Sequence, residues 1–95
     1  MLLISREVGE SLVLAESTVV TVAVVGDDFV DLGLSDLSGR RLGVVTLRKE
    51  TKTLLVHGVQ GIFIKAVGQR VRLGFEYPPG ISLRRPELPF GGDDP

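Results

Sequence analysis

The stretch "TVVTVAVVGDDFVDLGL", residues 18–34, decides the fold class of this chain. Apolar residues alternate along it, many of them β-branched, and the turn "GDD" interrupts them, which is the pattern of a β-hairpin. Val20, Val22 and Val24 share one face of the first strand. Its other face is also nearly apolar, so we expect this strand to be covered on both sides. Three residues of the second strand are expected to point inward: Val30, Leu32 and Leu34.

A second stretch, "GIFIKAVGQRVRLGF" at residues 61–75, repeats this hairpin. Aligning Gly26 with Gly68 gives an offset of 42 residues before the turn and 41 after it, and predicts a second turn one residue shorter. The charges differ in sign between the copies: Asp27, Asp28 and Asp31 in the first against Gln69, Arg70 and Arg72 in the second.

Flanking segments repeat as well. Residues 10–16 match 52–58, and residues 45–50 match 81–87. The opening strand has no separate second copy, so the segment "VVTLRKE" must close the first unit and lead directly into the second. We therefore predict one domain over residues 1–88, built from two repeats of about 1–50 and 51–88.

No segment shows a capped helical stripe, so we predict an all-β fold. Ninety-five residues with 43% hydrophobic content suffice for one small domain with an aliphatic core. The tail at residues 89–95 combines prolines, glycines and acidic residues, and we expect it to be disordered.

Enzymatic chemistry has few candidate residues here. The chain has no cysteine and a single histidine, His57, for which we expect a structural role. The stretch "GRRLG" at 39–43 lacks the lysine and hydroxyl of a phosphate-binding loop. Ser11 and Thr53 have no neighbouring base in the sequence. We expect no catalysis, no cofactor and no metal site.

The chain shows no targeting segment. The opening "MLLISREVGE" is too short in apolar residues for a signal peptide or a membrane span. The absence of cysteine is compatible with a reducing compartment. We expect a cytoplasmic protein that does not bind membranes.

The net charge of −1 conceals an uneven distribution. Residues 1–43 carry a formal charge of −4, residues 44–85 carry +6, and the remaining tail carries −3. A basic stretch inside an acidic chain would orient a polyanion toward one side of the molecule.

These segments resemble the carbon storage regulator (CsrA/RsmA) family. "MLLISREVGESLVLAE", followed by "VTVAVVG" and "VDLGL", resembles the family's opening strands, and "GQRVRLGFEYPPGISLRRPEL" resembles its fourth strand, loop and fifth strand. The resemblance implies a small antiparallel β barrel or sandwich with strands two to five duplicated in one chain. Such a chain would be a monomeric pseudo-dimer, or else a homodimer that exchanges first strands.

Members of that family regulate translation by binding GGA sequences in messenger RNA, at an edge where the first strand of one subunit lies beside the fifth strand of the other. The resemblance implies one such edge here, from residues 2–7 beside 81–85, with "VVTLRKE" as its partnerless counterpart. Period two places an apolar residue and an arginine on one face, so that a base can pack beside a phosphate contact. The implied RNA contacts are Ile4, Arg6, Ile81, Leu83, Arg84 and Arg85, with Arg70 and Arg72 as supporting basic residues.

Two positions depart from the family pattern. Glu7 stands where a second arginine is usual, and Pro86 removes a backbone donor after the last strand. The alternatives therefore stay open. The arginines could be solvated residues that guard sheet edges. The protein could also be an interaction module of the same fold that pairs with such regulators or with a protein antagonist, rather than with a messenger-RNA leader or a small RNA.

Overall fold

The chain forms nine β-strands. The computed structural model describes residues 1–86, so the predicted disordered tail at 89–95 lies outside the described residues. Within residues 1–86 there is no helix, which confirms the all-β prediction. The strands are β1 (Leu2–Glu7), β2 (Ser11–Leu14), β3 (Thr18–Val25), β4 (Phe29–Asp36), β5 (Arg41–Arg48), β6 (Thr53–Leu54), β7 (Gln60–Val67), β8 (Arg70–Glu76) and β9 (Leu83–Arg84).

The strands form two sheets that share one core. Sheet A has the order β1-β8-β7-β6, and sheet B has the order β5-β4-β3-β2-β9. All strand pairs are antiparallel, and a single parallel bridge between Lys49 and Phe63 links the end of β5 to β7. Both sheets direct apolar residues inward, as alternation predicts. The largest fully buried side chains are Phe63, Phe75, Leu12, Leu14, Leu32, Leu47 and Leu73.

The pairing registers of the two sheets repeat at a constant spacing. Thr21 faces Gly33 in sheet B, and Ile62 faces Gly74 in sheet A, so both partners are displaced by 41 residues. Each of these ladders also contains a bulge at the equivalent place. The strands β1-β8-β7-β6 thus have the same arrangement as β5-β4-β3-β2.

The equivalent of β1 is β5, and not β9. Leu2 faces Phe75 across the β1–β8 ladder, and Gly43 faces Leu34 across the β5–β4 ladder, again 41 residues apart. The match of residues 45–50 with 81–87 is therefore wrong as a structural equivalence. The segment predicted to be partnerless pairs with β4 along its whole length, because its backbone groups would otherwise remain unbonded at a sheet edge.

The two hairpin turns have the same length, so the prediction of a shorter second turn is wrong. The amide of Gly26 donates to the carbonyl of Phe29 at 2.9 Å, and Val67 faces Arg70, which leaves two turn residues in each case. The two glycines differ in purpose. A Cβ at Gly26 would lie 2.1 Å from the Phe29 ring, whereas Gly68 takes a φ of 61° inside its turn. Anchoring the repeat on these glycines shifts β3 against β7 by one residue.

The prediction that β3 is covered on both faces is also wrong. Val20 and Val22 are each 2% exposed, but Val24 is 48% exposed after the bulge that follows Val22. The inward positions predicted in β4 are confirmed. The sequence of β3 is apolar on both faces, although only one face meets the core.

A truncation in β5 tests its place in the core. Leu47 is fully buried, and a Cβ added at Gly61 would lie 2.9 Å from its Cδ1, so it packs directly against sheet A. We expect Leu47→Ala to lower the free energy of unfolding by about 2–5 kcal/mol in urea titrations. Leu42→Ala, at a 54% exposed position of the same strand, should cost about 0.5 kcal/mol or less. Equal losses would contradict the inward packing of β5.

Candidate nucleic-acid interface

The predicted edge between the first and last strands does not form as a ladder. β1 pairs with β8 from Leu2 opposite Phe75 to Glu7 opposite Arg70. β9 pairs instead with β2, where Leu83 faces Leu14. The expectation that residues 2–7 lie directly beside 81–85 is therefore wrong as a strand pairing. The two segments belong to different sheets, because the chain turns between Pro78 and Ile81 and carries β9 to the edge of sheet B.

Ile4, Arg6 and Leu83 point toward the interior. Ile4 is 3% and Leu83 is 5% exposed, and both belong to the hydrophobic core. This corrects the expectation that their side chains offer an outer surface on which a base could pack. The alternation itself holds, since Ile4 and Arg6 do share a face, but that face meets the core. Only the backbone of these positions is left for a ligand.

Arg6 is a buried cation with structural contacts. Its Nε donates to the carbonyl of Ser5 at 2.9 Å, and Nη1 donates to the carbonyl of Ser11 at 3.4 Å. Glu10 approaches the same guanidinium at 3.8 Å. At the equivalent position of sheet B stands Leu47, in register terms 41 residues later. Arg6 thus ties β1 to the start of β2, a role that requires it to stay inside the fold.

Arg84 is clamped by Glu16. Its Nε and Nη2 donate to the two carboxylate oxygens at 2.7 and 2.9 Å, in a bidentate pair whose side chains are 13% and 17% exposed. The hydrogen bonds with Glu16 raise the pKa of the Arg84 guanidinium. Nη1 also donates to the carbonyl of Arg85 at 3.2 Å. The pair fastens β9 to the turn between β2 and β3.

Arg85 and Ile81 flank this clamp. Both are half-buried, and Ile81 packs against the core from the outside. Of the six residues predicted to contact RNA, these two present the most side-chain surface to solvent without a clamp of the Arg84 type. Their roles stay predictions.

Glu7 is compensated by Arg70. Arg70 Nη1 donates to Glu7 Oε1 at 3.0 Å, across neighbouring strands on the outer face of sheet A. Both side chains are 55% exposed, so the pair contributes little to stability. The carboxylate that departs from the family pattern is therefore neutralised by one of the two supporting arginines.

Arg72 and Lys65 form an exposed pair of like charges, which we call the basic row. They face each other in the β7–β8 ladder, and Ser5 faces Arg72 from the other side. Both cations are exposed, and within residues 1–86 neither makes an ion pair with a carboxylate. Like charges directly across a ladder destabilise a sheet. An anion bound over the row would remove that repulsion.

Sequence reasoning missed Lys65. Phe63 is buried, so strict alternation would also turn Lys65 inward. The bulge between Phe63 and Lys65 resets the alternation and brings the lysine to the outer face. The charge of "FIKAVGQRVRLG" was visible in the sequence, but the bulge that gathers it on one face was not.

An apolar margin borders the basic row. The next row of sheet A consists of Leu3, Gly74 and Ile62. Met1 covers Gly74, since a Cβ at that glycine would lie 2.6 Å from the methionine Sδ. Leu3 is 41% and Met1 is 65% exposed, so this margin presents apolar surface next to two cations.

A groove continues from Met1 to an exposed aromatic ring. Its volume is about 430 Å³, and Tyr77 on its wall is 42% exposed. Glu76 also lines it and bonds to Lys52, which lowers the pKa of the Glu76 carboxyl. Cations for phosphates, an apolar ledge and a tyrosine ring are the elements with which proteins hold single-stranded nucleic acid.

The equivalent row of sheet B has the opposite character. Val24, Asp31 and Thr46 stand where sheet A has Lys65, Arg72 and Ser5. The Thr46 hydroxyl donates to Asp31 Oδ1 at 2.6 Å. The charge reversal between the two hairpins thus concerns outward positions, and it leaves one basic face and one acidic face.

His57 links two turns. It lies in the left-handed backbone region with a φ of 57°, and its Nε2 is 3.0 Å from the Ser17 hydroxyl and 3.1 Å from the Thr18 hydroxyl. These contacts join the β6–β7 turn to the β2–β3 turn. No group of three or more potential metal ligands occurs among residues 1–86.

Comparison of the chain with protein-family models, with curated proteins and with solved structures gives no match. Within the described residues, no helix is long and apolar enough to cross a membrane. The site must therefore be argued from its own geometry.

The clamp on β9 can be tested by neutralising its carboxylate. Glu16→Gln leaves a largely buried guanidinium with weaker acceptors, so we expect a loss of about 1–3 kcal/mol in the free energy of unfolding. Amide hydrogen exchange should accelerate first at Leu83 and Arg84. Glu7→Gln is the matched control, because it breaks an exposed pair and should cost about 0–1 kcal/mol. A larger loss for Glu7→Gln than for Glu16→Gln would contradict the clamp.

Proposed function

We propose that this protein binds single-stranded RNA and regulates messenger RNA after transcription, without catalysing a covalent reaction. One observation carries the proposal: Arg72 and Lys65 form an exposed, uncompensated cationic row beside an apolar margin. A row of this kind is costly to the fold unless an anion neutralises it. The resemblance to the carbon storage regulator family supports the same function from the sequence.

Phosphates would bind along the basic row, with Arg70 at its end. Arginine offers a planar fork of donors and lysine a mobile point charge, so the two suit a backbone that passes over both. Bases would then lie on the margin formed by Met1 and Leu3 and against the ring of Tyr77. This arrangement favours an unpaired loop, because the bases of a duplex are not accessible to such contacts.

The proposed target is a GGA-type site in a messenger-RNA leader, or in a small RNA, within the cytoplasm. Binding there would modulate translation or the stability of the messenger RNA. These details come from the resemblance. Ile81 and Arg85 remain proposed contacts at the end of β9, whereas Arg84 could contact RNA only if it left Glu16.

A second candidate function is a protein-interaction module with weak RNA affinity. The ion pairs Glu16–Arg84 and Glu7–Arg70 favour it, since they occupy two arginines that the sequence assigns to RNA. Its partner would be a related regulator or a protein antagonist of one. The two candidates differ in what neutralises the basic row.

Titration of a fluorescent GGA hairpin at two salt concentrations tests the proposal. We expect binding that weakens steeply with salt, because each phosphate contact releases counterions. Arg72→Gln should weaken binding and lower the salt slope by about 1, and Arg72→Gln with Lys65→Gln by about 2. Arg48→Gln, an exposed arginine on sheet B, is the matched control and should leave both values unchanged.

Three results decide between the readings. No binding of the hairpin by the unaltered protein at low salt would overturn the RNA proposal in favour of the interaction module. Equal losses for Arg72→Gln and Arg48→Gln would remove the basic row from the site. A loss for Arg85→Ala larger than that for Arg72→Gln would move the site to the end of β9.

A further inference from the structure

The outer faces of the two sheets each contain a hollow over a glycine, but only one hollow is filled. Gly74 in sheet A and Gly33 in sheet B are equivalent positions in the repeated registers. Met1 occupies the space over Gly74, with its Sδ 2.6 Å from where a Cβ would lie. Over Gly33, the nearest atom to such a Cβ is the Thr21 carbonyl oxygen at 3.9 Å. Within residues 1–86, no side chain fills the hollow at Gly33 as Met1 does at Gly74.

The hollow over Gly33 widens into a groove of about 260 Å³. Exposed apolar side chains lie around it on a face that this chain leaves open. Val44 is 59%, Leu42 is 54% and Val24 is 48% exposed. Three such residues beside an open groove indicate a surface that is covered in use. The groove is lined by Thr21, Ala23, Gly33, Leu34, Ser35, Gly39 and Arg41.

The projection and the hollow are direct neighbours. Val44 faces Gly33 in the β4–β5 ladder, and its side chain stands on the same outer face. A surface with a knob on one strand and a hole on the next is complementary to itself. A twofold axis along the ladder would place β4 of one molecule over β5 of another, with each Val44 in the other's Gly33 groove.

We propose that the outer face of β4 and β5 binds a second copy of this chain. The same twofold arrangement also matches the charges. It sets Asp31 against Thr46, Arg41 against Ser35, and Arg48 against Phe29 of the other molecule, as follows from their ladder pairing. No like charges meet in these three pairs, and the last places a guanidinium over an aromatic ring. Charge complementarity and the reciprocal knob and hole therefore point to the same occupant.

The dimer would leave both basic rows outward. Sheet B forms the contact, so the two copies of sheet A face away from each other. This inference does not rest on RNA binding, since it uses residues of the opposite sheet. If RNA does bind to sheet A, the assembly presents two separate sites, and a single RNA with two loops would bind with increased avidity.

The oligomeric state tests the proposal. We expect the full chain to form dimers with rising concentration in sedimentation equilibrium. Gly33→Val should abolish the dimer, because its own side chain fills the hole. The substitution is compatible with the fold, since Gly33 is not among the positive-φ residues and its Cβ would have room. Val44→Ser should raise the dimer dissociation constant by about tenfold or more, as loss of a central interface side chain does.

Ser5→Val is the matched control, because it adds the same side chain to the outer face of sheet A and should leave the dimer intact. A monomer at every concentration would overturn the proposal and assign the groove to a different protein. A dimer that persists in both Gly33→Val and Val44→Ser would also overturn it, since another surface, such as exchanged first strands, would then hold the copies together. Circular dichroism of each variant shows that it remains folded.

Discussion

The ladder between β1 and β8 is the constraint on which the rest of the structure depends. It fixes the N-terminal strand at the edge of sheet A with Ser5 opposite Arg72 and Glu7 opposite Arg70. Because side chains alternate across a strand, this register turns Ile4 and Arg6 into the core and Arg72 to solvent. It also brings Met1 over Gly74. A shift by one residue would reverse every one of these placements.

The two sheets share an inner pattern and differ outside. Inward positions are apolar in both, as with Val71 and its equivalent Val30, both almost fully buried. Outward positions are free to diverge, and there Arg72 stands against Asp31 at the same register. One inward position also differs, since Arg6 stands where sheet B has Leu47, and its guanidinium is satisfied by backbone carbonyls. A repeated scaffold can thus carry one basic face and one acidic face without a change of fold.

The sequence predicts the strand class and much of the core. Period-two apolar residues in β4 specify the all-β fold and the inward positions, because local patterning is strong there. The outer ends of the argument fail for identifiable reasons. The repeat was anchored on Gly26 and Gly68, but the first glycine makes room for a phenylalanine ring and the second serves a turn, so the offset is wrong by one residue in β3.

The candidate site was harder to predict than the fold. Lys65 joins Arg72 only through a bulge, and a bulge leaves no reliable mark in an apolar stretch. Strand order across the sheets is a long-range property, which is why the last strand was placed beside β1 and not beside β2. Arg84 looked available for RNA because its partner Glu16 lies 68 residues away in the chain.

Nuclear magnetic resonance mapping tests the central claim most directly. A GGA hairpin added to labelled protein should shift the amides of β1, β7 and β8 around the basic row and the side-chain resonances of Lys65 and Arg72. The amides of β4 and β5, on the opposite face, should stay in place apart from any effect of dimer formation already present without RNA. Shifts confined to β2, β4 and β5, with the basic row unchanged, would contradict the account.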